Sequence, residues 1–334
     1  MKEQIKQKTL KRFLRYAQID TQADENSETT PSTKAQFDLA RILVDELKEL
    51  GLSDISLDDN CYVMATLEAS EGMDAAAPAI GFIAHLDTSP EEPGKNVRPR
   101  IIENYQGEII EFEGDKQLKL DPQNSPELQK CIGHTIVTSD GTTLLGGDDK
   151  AGIAAIMTAL EILVNNKNIK HGPLKICFTP DEEIGRGTKY FDIQKFGAEF
   201  AFTIDGSLPP EINKETFSAN TAIVTVKGKN IHPGSAKNVM VNSMRALSDF
   251  VSRLPKDKSP ETTEGRESFI HPHVMEGNVT ESKVTMLLRT FDTPELDEQK
   301  ALLQNIIEEV EKIHPKAEFN LEIQESYRNM REEL

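Results

Sequence analysis

The residues best suited to chemistry fall in four short stretches, each placed directly after a run of apolar residues. AIGFIAHLDT carries His85 and Asp87, and TTLLGGDDKAG carries Asp148 and Asp149. LKICFTPDEEIG carries Asp181, Glu182 and Glu183, and AFTIDGS carries Asp205. One imidazole and several carboxylates arriving from four loops form the donor set that a hard or borderline divalent cation needs. Each stretch alone has a plainer reading. His85 beside a strand end can be a structural histidine, and Asp148 and Asp149 can simply cap the helix that follows, their charge on its positive end. Glu182 and Glu183 can be a solvated turn, and Asp205-Gly206 an ordinary turn dipeptide. Four such coincidences after buried strands favour one shared site. The glycines of GGDDKAG do not make a phosphate loop, because the GxxxxGK[ST] arrangement is absent.

Those side chains need elements to carry them. Helical spacing of apolar residues covers 5–17 and 32–50, with Pro31 just before the second stretch and Ser32 as its expected N-cap. Residues 20–30 are polar and turn-like. Strands are expected at 61–67, 79–84, 174–178 and 202–204, with short extended pieces at 135–137 and 143–145 and a strongly apolar helix at 151–164. Strands alternating with helices predict an α/β fold with a mostly parallel sheet and helices on both faces. In such sheets the ligand crevice lies beyond the carboxyl ends of the strands, where the acidic stretches fall. After Pro210 the pattern changes to a strand at 221–226, a helix at 237–254, strands at 273–279 and 284–291, a charged amphipathic helix at 295–313 and a strand at 319–323. That order, βαββαβ, predicts a ferredoxin-like sandwich. The expected organisation is a metal-binding catalytic domain over 1–214 and a ferredoxin-like lid or dimerisation domain over 215–325. Residues 326–334 then begin a new helical pattern.

Composition narrows the partners. The 334 residues include 38 basic and 56 acidic side chains, a net charge of −18. An acidic excess of that size disfavours nucleic acid and anionic membrane surfaces, while the apolar share of 37% is ample for a core in a chain this long. Cys61, Cys131 and Cys177 have no close spacing and read as reduced thiols of a cytoplasmic protein. The N-terminus is charged every two or three residues, unlike a signal peptide, and no apolar run approaches the ~18 residues of a membrane span.

The motifs HLDT, GGDDKAG, TPDEEIG and TIDG, in this order, resemble the metal-site motifs of the two-zinc exopeptidases that include glutamate carboxypeptidases and aminoacylases. GKNVRP, NIHPGSAK, PETTEGRESF, LLRTFD and ESYRNMRE narrow the resemblance to that family's bacterial aminotripeptidases, over nearly the whole chain. The resemblance implies a zinc-exopeptidase-like catalytic domain, two zinc ions, a small peptide substrate and a homodimer formed through the lid domain. Residue by residue, it implies His85 and Asp205 on one zinc, Asp148 bridging both, and Glu183 on the second. Asp87 would orient the His85 ring, Asp149 would cap or support, and Glu182 would be the general base of a metal-assisted hydrolysis that releases the N-terminal residue of a tripeptide. His232 is implied to stabilise the developing oxyanion, and Arg289 to read the substrate's terminal carboxylate; the plainer reading of Arg289 is a surface strand cation. His134, His171 and His314 match no ligand motif, and His271 and His273 are given no role. The family continues past Leu334, with a segment that brings a glycine-rich loop and the last histidine ligand of the second metal. On that expectation the first zinc keeps His85, Asp148 and Asp205, the second keeps only Asp148 and Glu183, and turnover by this chain is near background. The alternatives are a catalytically impaired homologue serving as a metal-binding or assembly protein, and a related metallo-carboxypeptidase or amide hydrolase.

Overall fold

The structure, a computed structural model, describes residues 2–73, 77–206 and 211–332. The chain packs as two units, Met1–Glu211 and Ile212–Leu334. Pro210, where the sequence pattern changes, lies outside the described residues, as do the last two residues of the stretch 326–334.

In the first unit, α1 (Lys2–Ala17) and α2 (Gln36–Glu49) are followed by β1 (Ser53–Leu57), β2 (Val63–Leu67) and β3 (Ile80–His85). Leu39, Leu43 and Leu47 of α2 recur every fourth residue and are all fully buried, so one stripe of the helix faces the sheet. An insertion follows, comprising β4 (Arg100–Ile102), β5 (Ile110–Glu111), β6 (Lys119–Leu120), α3 (Glu127–Lys130) and β7 (Ile136–Thr138), packed around Tyr105, Ile110 and Phe112. The sequence pattern shows only its last strand; the extended piece expected at 143–145 is a loop. Then come α4 (Gly147–Asn165), β8 (Leu174–Thr179), α5 (Ile193–Phe196) and β9 (Phe200–Thr203).

The five-stranded sheet has the order β1-β2-β8-β3-β9. β3 runs parallel to both β8 and β9, and only β2 is reversed, because a short hairpin turn joins it to β1 and forces the pair antiparallel. Side chains alternate across the sheet as the strand period demands. Val63, Ala65, Ile176 and Phe178 meet α1, α2 and α4 on one face, while Tyr62, Met64 and Cys177 join Phe196 of α5 on the other. The helices are therefore unequally divided, three long ones on one face and a single turn on the other.

The second unit runs β10 (Ser218–Lys227), α6 (Ser243–Ser252), β11 (Phe269–Gly277), β12 (Glu281–Thr290), α7 (Glu295–Ile313) and β13 (Glu318–Tyr327). Its antiparallel sheet has the order β11-β12-β10-β13, which is the ferredoxin-like arrangement. Ala222, Val224 and Val226 of β10 alternate inward against Phe250 of α6 and Leu303, Ile307 and Val310 of α7. α6 begins six residues later than the sequence pattern suggests. Val241 is taken by an antiparallel bridge to Lys229, and Asn242, accepting from the Arg245 amide, is the N-cap.

The stretch expected to start a new helix instead extends β13 to Tyr327. Asn329 behind it is buried: its amide donates to Ser218 Oγ, its Nδ2 to the Phe291 carbonyl, and its Oδ1 accepts from the Thr216 amide. These are partners within the second unit, and they, rather than helical periodicity, decide the path of the chain. A fragment of residues 212–332 is expected to fold alone, and one ending at 325 to be weaker. Losing three hydrogen bonds at about 1 kcal/mol each should lower the melting temperature by roughly 8 °C or more. Circular dichroism melts of the two fragments measure this, and coincident melts would remove Asn329 from the account.

Candidate active site

Strand register assembles the site before any side chain is considered. His85 ends β3 opposite Thr179 of β8, and Ile83 lies opposite Thr203 of β9. Asp205 follows two residues beyond that last pair, and Asp181 two residues beyond Thr179. The three parallel strands thus release their loops at one edge, with β3 in the middle. The fourth contribution comes from the start of α4, where Asp148 and Asp149 have non-helical backbone angles and a cis peptide joins them.

His85, Asp148 and Asp205 each offer a ligand atom, all within 4.8 Å of one another, a group that could hold a metal ion. His85 Nε2 lies 2.7 Å from Asp148 Oδ1, 3.9 Å from Glu182 Oε2 and 4.0 Å from Asp205 Oδ2. Its Nδ1 is 2.9 Å from the Asp87 carbonyl and 3.4 Å from Asp87 Oδ1. Both ring nitrogens face oxygens, as an imidazolium's would. Burial opposes that charge, but Asp87, Asp148 and Asp149 outweigh it and raise the His85 pKa to about 10.

Asp87 is fully buried, and its two oxygens accept from the backbone amides of Glu182 (2.9 Å) and Glu183 (3.1 Å). Glu182 and Glu183 form a single 3-10 turn whose amides are spent on Asp87, leaving their side chains free. Burial, with the neighbouring carboxylates, raises the pKa of Glu182, Glu183 and Asp205 above the usual range. Asp149 is pushed up to about 8, first by burial. Its carboxylate accepts from the His85 amide (3.2 Å) and from the Gly152 amide (3.1 Å), so it caps α4 and braces the end of β3 together. Asp148 is the exposed member of the pair and the one at the imidazole.

Several supporting residues carry no metal-site signal in the sequence. A Cβ at Gly152 would lie 2.1 Å from the Ile204 carbonyl and 2.3 Å from Asp149 Oδ1, so only glycine lets α4 pass the loop that delivers Asp205. A lone glycine inside an otherwise helical apolar run was the available sign. Lys150, 1% exposed, donates to the Ile19 carbonyl at 2.6 Å, and burial lowers its pKa to about 8. Ser32 does not cap α2, which starts at Gln36; its amide and hydroxyl both donate to the buried Asp181 carboxylate.

The two remaining candidates lie in the second unit. His232 precedes a 3-10 turn and its Nδ1 accepts from the Gly234 amide at 3.1 Å, which leaves Nε2 as the ring's donor. Arg289, on β12, donates to the carbonyls of Leu288 and Asn220, and its guanidinium lies over the Tyr327 ring. His314 pairs with Asp249 at 2.5 Å. The three cysteines are free thiols. Among the described residues no helix is long and apolar enough to cross a membrane.

Comparison with known proteins places this geometry in a family. A family model for a peptidase dimerisation domain matches residues 214–318, most of the ferredoxin-like unit. Peptidase T of Geobacillus kaustophilus is 47% identical over 330 residues, covering 99% of this chain and 80% of the relative. The crystal structure of aminopeptidase PepT from Bacillus cereus superposes with a TM-score of 0.70 at 22% identity, over 97% of this chain and 76% of that one. A tripeptidase from Staphylococcus aureus gives 0.71 at 21% identity with the same coverage. The two structures show the fold; the sequence identity across nearly the whole chain shows more, and by it this chain belongs to the peptidase T family.

Proposed function

We propose that the chain is a zinc-dependent tripeptide aminopeptidase of the cytoplasm, homodimeric through its ferredoxin-like unit. The observation that carries this reading is the convergence of His85, Asp148 and Asp205, with Glu182 beside the histidine. One borderline nitrogen and several hard oxygens suit zinc. His85, Asp148 and Asp205 would hold one cation, and Asp148 with Glu183 would contribute to a second. A divalent cation held by these residues would supply Lewis-acid polarisation of the scissile carbonyl and a lowered pKa for the attacking water.

The chain's own groups do the rest. Glu182, held by its amide and free at its carboxylate, takes the proton from the attacking water. Its raised pKa suits it to return that proton to the departing amine. Asp87 keeps the His85 ring in one orientation and the turn bearing Glu182 at a set distance from it. His232, with a donor at Nε2, fits the stabilisation of an oxyanion. Arg289, with a planar fork of donors, fits a terminal carboxylate. The peptidase dimerisation domain supports the assembly.

Adjacent glutamates with separate duties should separate by mutation. Glu182→Ala is expected to abolish release of the N-terminal residue from a tripeptide while leaving zinc content unchanged, and Glu183→Ala to lower zinc content. Plasma emission analysis beside a ninhydrin assay reads both, and the reverse pattern would exchange the two roles.

Metal affinity should also depend on pH with a defined sign. His85 carries a proton up to about pH 10 in the metal-free chain, and a cation must displace it. Below that pH, affinity should therefore rise about tenfold per unit of pH, one proton leaving per cation bound. Competition with a chromogenic chelator at pH 6, 7 and 8 measures the slope; a flat profile would mean that the ring is already neutral.

A further inference from the structure

Asp181 is a fully buried carboxylate that the reaction does not use. It stands immediately before Glu182, at φ 55° and ψ 30°, a left-handed conformation that aspartate and asparagine tolerate better than most residues. Every side-chain hydrogen bond it makes goes to one distant segment. Oδ1 and Oδ2 accept from the Ser32 amide at 3.0 and 2.8 Å, and Oδ1 also accepts from Ser32 Oγ at 2.6 Å and Gln36 Nε2 at 2.7 Å. Its carbonyl accepts from the Arg186 amide at 2.8 Å, closing the turn that holds Glu182 and Glu183. The Arg186 guanidinium in turn donates to the carbonyls of Ser27 and Glu25. The turn is therefore tied at both ends to residues 25–36, while Asp87 holds its amides from the strand side.

We infer that Asp181 is a positioning residue, which through Ser32 and Gln36 fixes the turn that aims Glu182 and Glu183. The inference rests on those two glutamates serving peptide hydrolysis. Among the described residues the Glu182 side chain makes no hydrogen bond, and its ionic contact with His85 Nε2 is long at 3.9 Å, so its aim depends on the backbone beneath it; a misplacement of about 1 Å is worth roughly 100-fold in rate.

Asp181→Asn keeps the favoured backbone angle and the shape. Its Nδ2, whichever way the amide lies, faces the Ser32 N–H, a donor that cannot turn away. Ser32→Ala removes one of the bonds Asp181 accepts, together with those that Ser32 Oγ accepts from the Asp24 amide and Gln36 Nε2, but leaves the Asp181 carboxylate and the Ser32 amide in place; it is the second variant should Asp181→Asn fail to fold. Hydrogen exchange on the metal-free full chain, and steady-state kinetics with a tripeptide and added zinc, form the test. For Asp181→Asn, exchange at the Glu182, Glu183 and Arg186 amides should quicken at least about tenfold, with residues 80–85 and 174–179 still protected. kcat should fall by about tenfold or more with KM within about twofold, since aim rather than binding is lost. Ser32→Ala should move both readouts the same way by a smaller factor. Exchange that quickens uniformly across the unit, or not at all in the turn, overturns the inference and leaves Asp181 a packing residue. A parent chain that turns over no tripeptide would instead defeat the proposed activity, and the exchange measurement would still decide the role of Asp181.

Discussion

The site depends on one buried carboxylate. Asp87, with no exposed surface, accepts from two consecutive amides of the 182–184 turn and stands against the Nδ1 side of the His85 ring. Desolvating a carboxylate is costly unless its lone pairs are met, and these donors meet them. The same contacts register the loop after β8 against the end of β3. Sites built on strands and helices are held more precisely than sites on loops; this turn compensates by donating its backbone amides to a buried carboxylate two residues beyond the end of β3.

Around that anchor the site works against its own stability. Asp149, Glu182, Glu183 and Asp205 all have raised pKa values, with burial the leading cause in each. Carboxylates gathered this closely repel one another, and a divalent cation converts that repulsion into coordination. Lys150 could have neutralised them, yet its ammonium turns to the Ile19 carbonyl and takes its charge to the end of α1. The acids are thus kept available, and the apolar contacts of α1, α2 and α4 with the sheet offset the cost.

The second unit meets a simpler demand. Its four antiparallel strands bury one face under α6 and α7, and the inward residues of β10, β12 and β13 alternate with outward ones that are mostly polar, Ile223 and Leu287 being apolar exceptions. Such a two-layer unit is specified by period alone, which is why its βαββαβ order was readable in the chain. The element bounds differ most at 237–242 and beyond 325, where a bridge to Lys229 and the burial of Asn329 outweigh helical propensity, and at β11, which starts at Phe269 rather than 273.

By itself the sequence determined which residues could do chemistry and which elements carry them. Apolar runs ahead of His85, Glu182 and Asp205 state three strands, and these with Asp148 state the donor set, because hydrophobic period and side-chain chemistry are local properties; the run before Asp148 is a loop. Tertiary structure decided which donors meet and what braces them. The parallel pairing of β3 with β9 brings Asp205 to within 4.0 Å of the His85 ring, joining residues more than a hundred positions apart. The division of labour between Asp148, exposed at the imidazole, and Asp149, buried beneath it, depends on the fold of the chain before α4. Asp181 reads as one more acid in TPDEEIG, and Ser32 as a helix cap; only folding places one against the other, 149 residues apart in sequence. Hydrogen bonds across such separations leave no period in the chain, and they are the contacts that give this site its geometry.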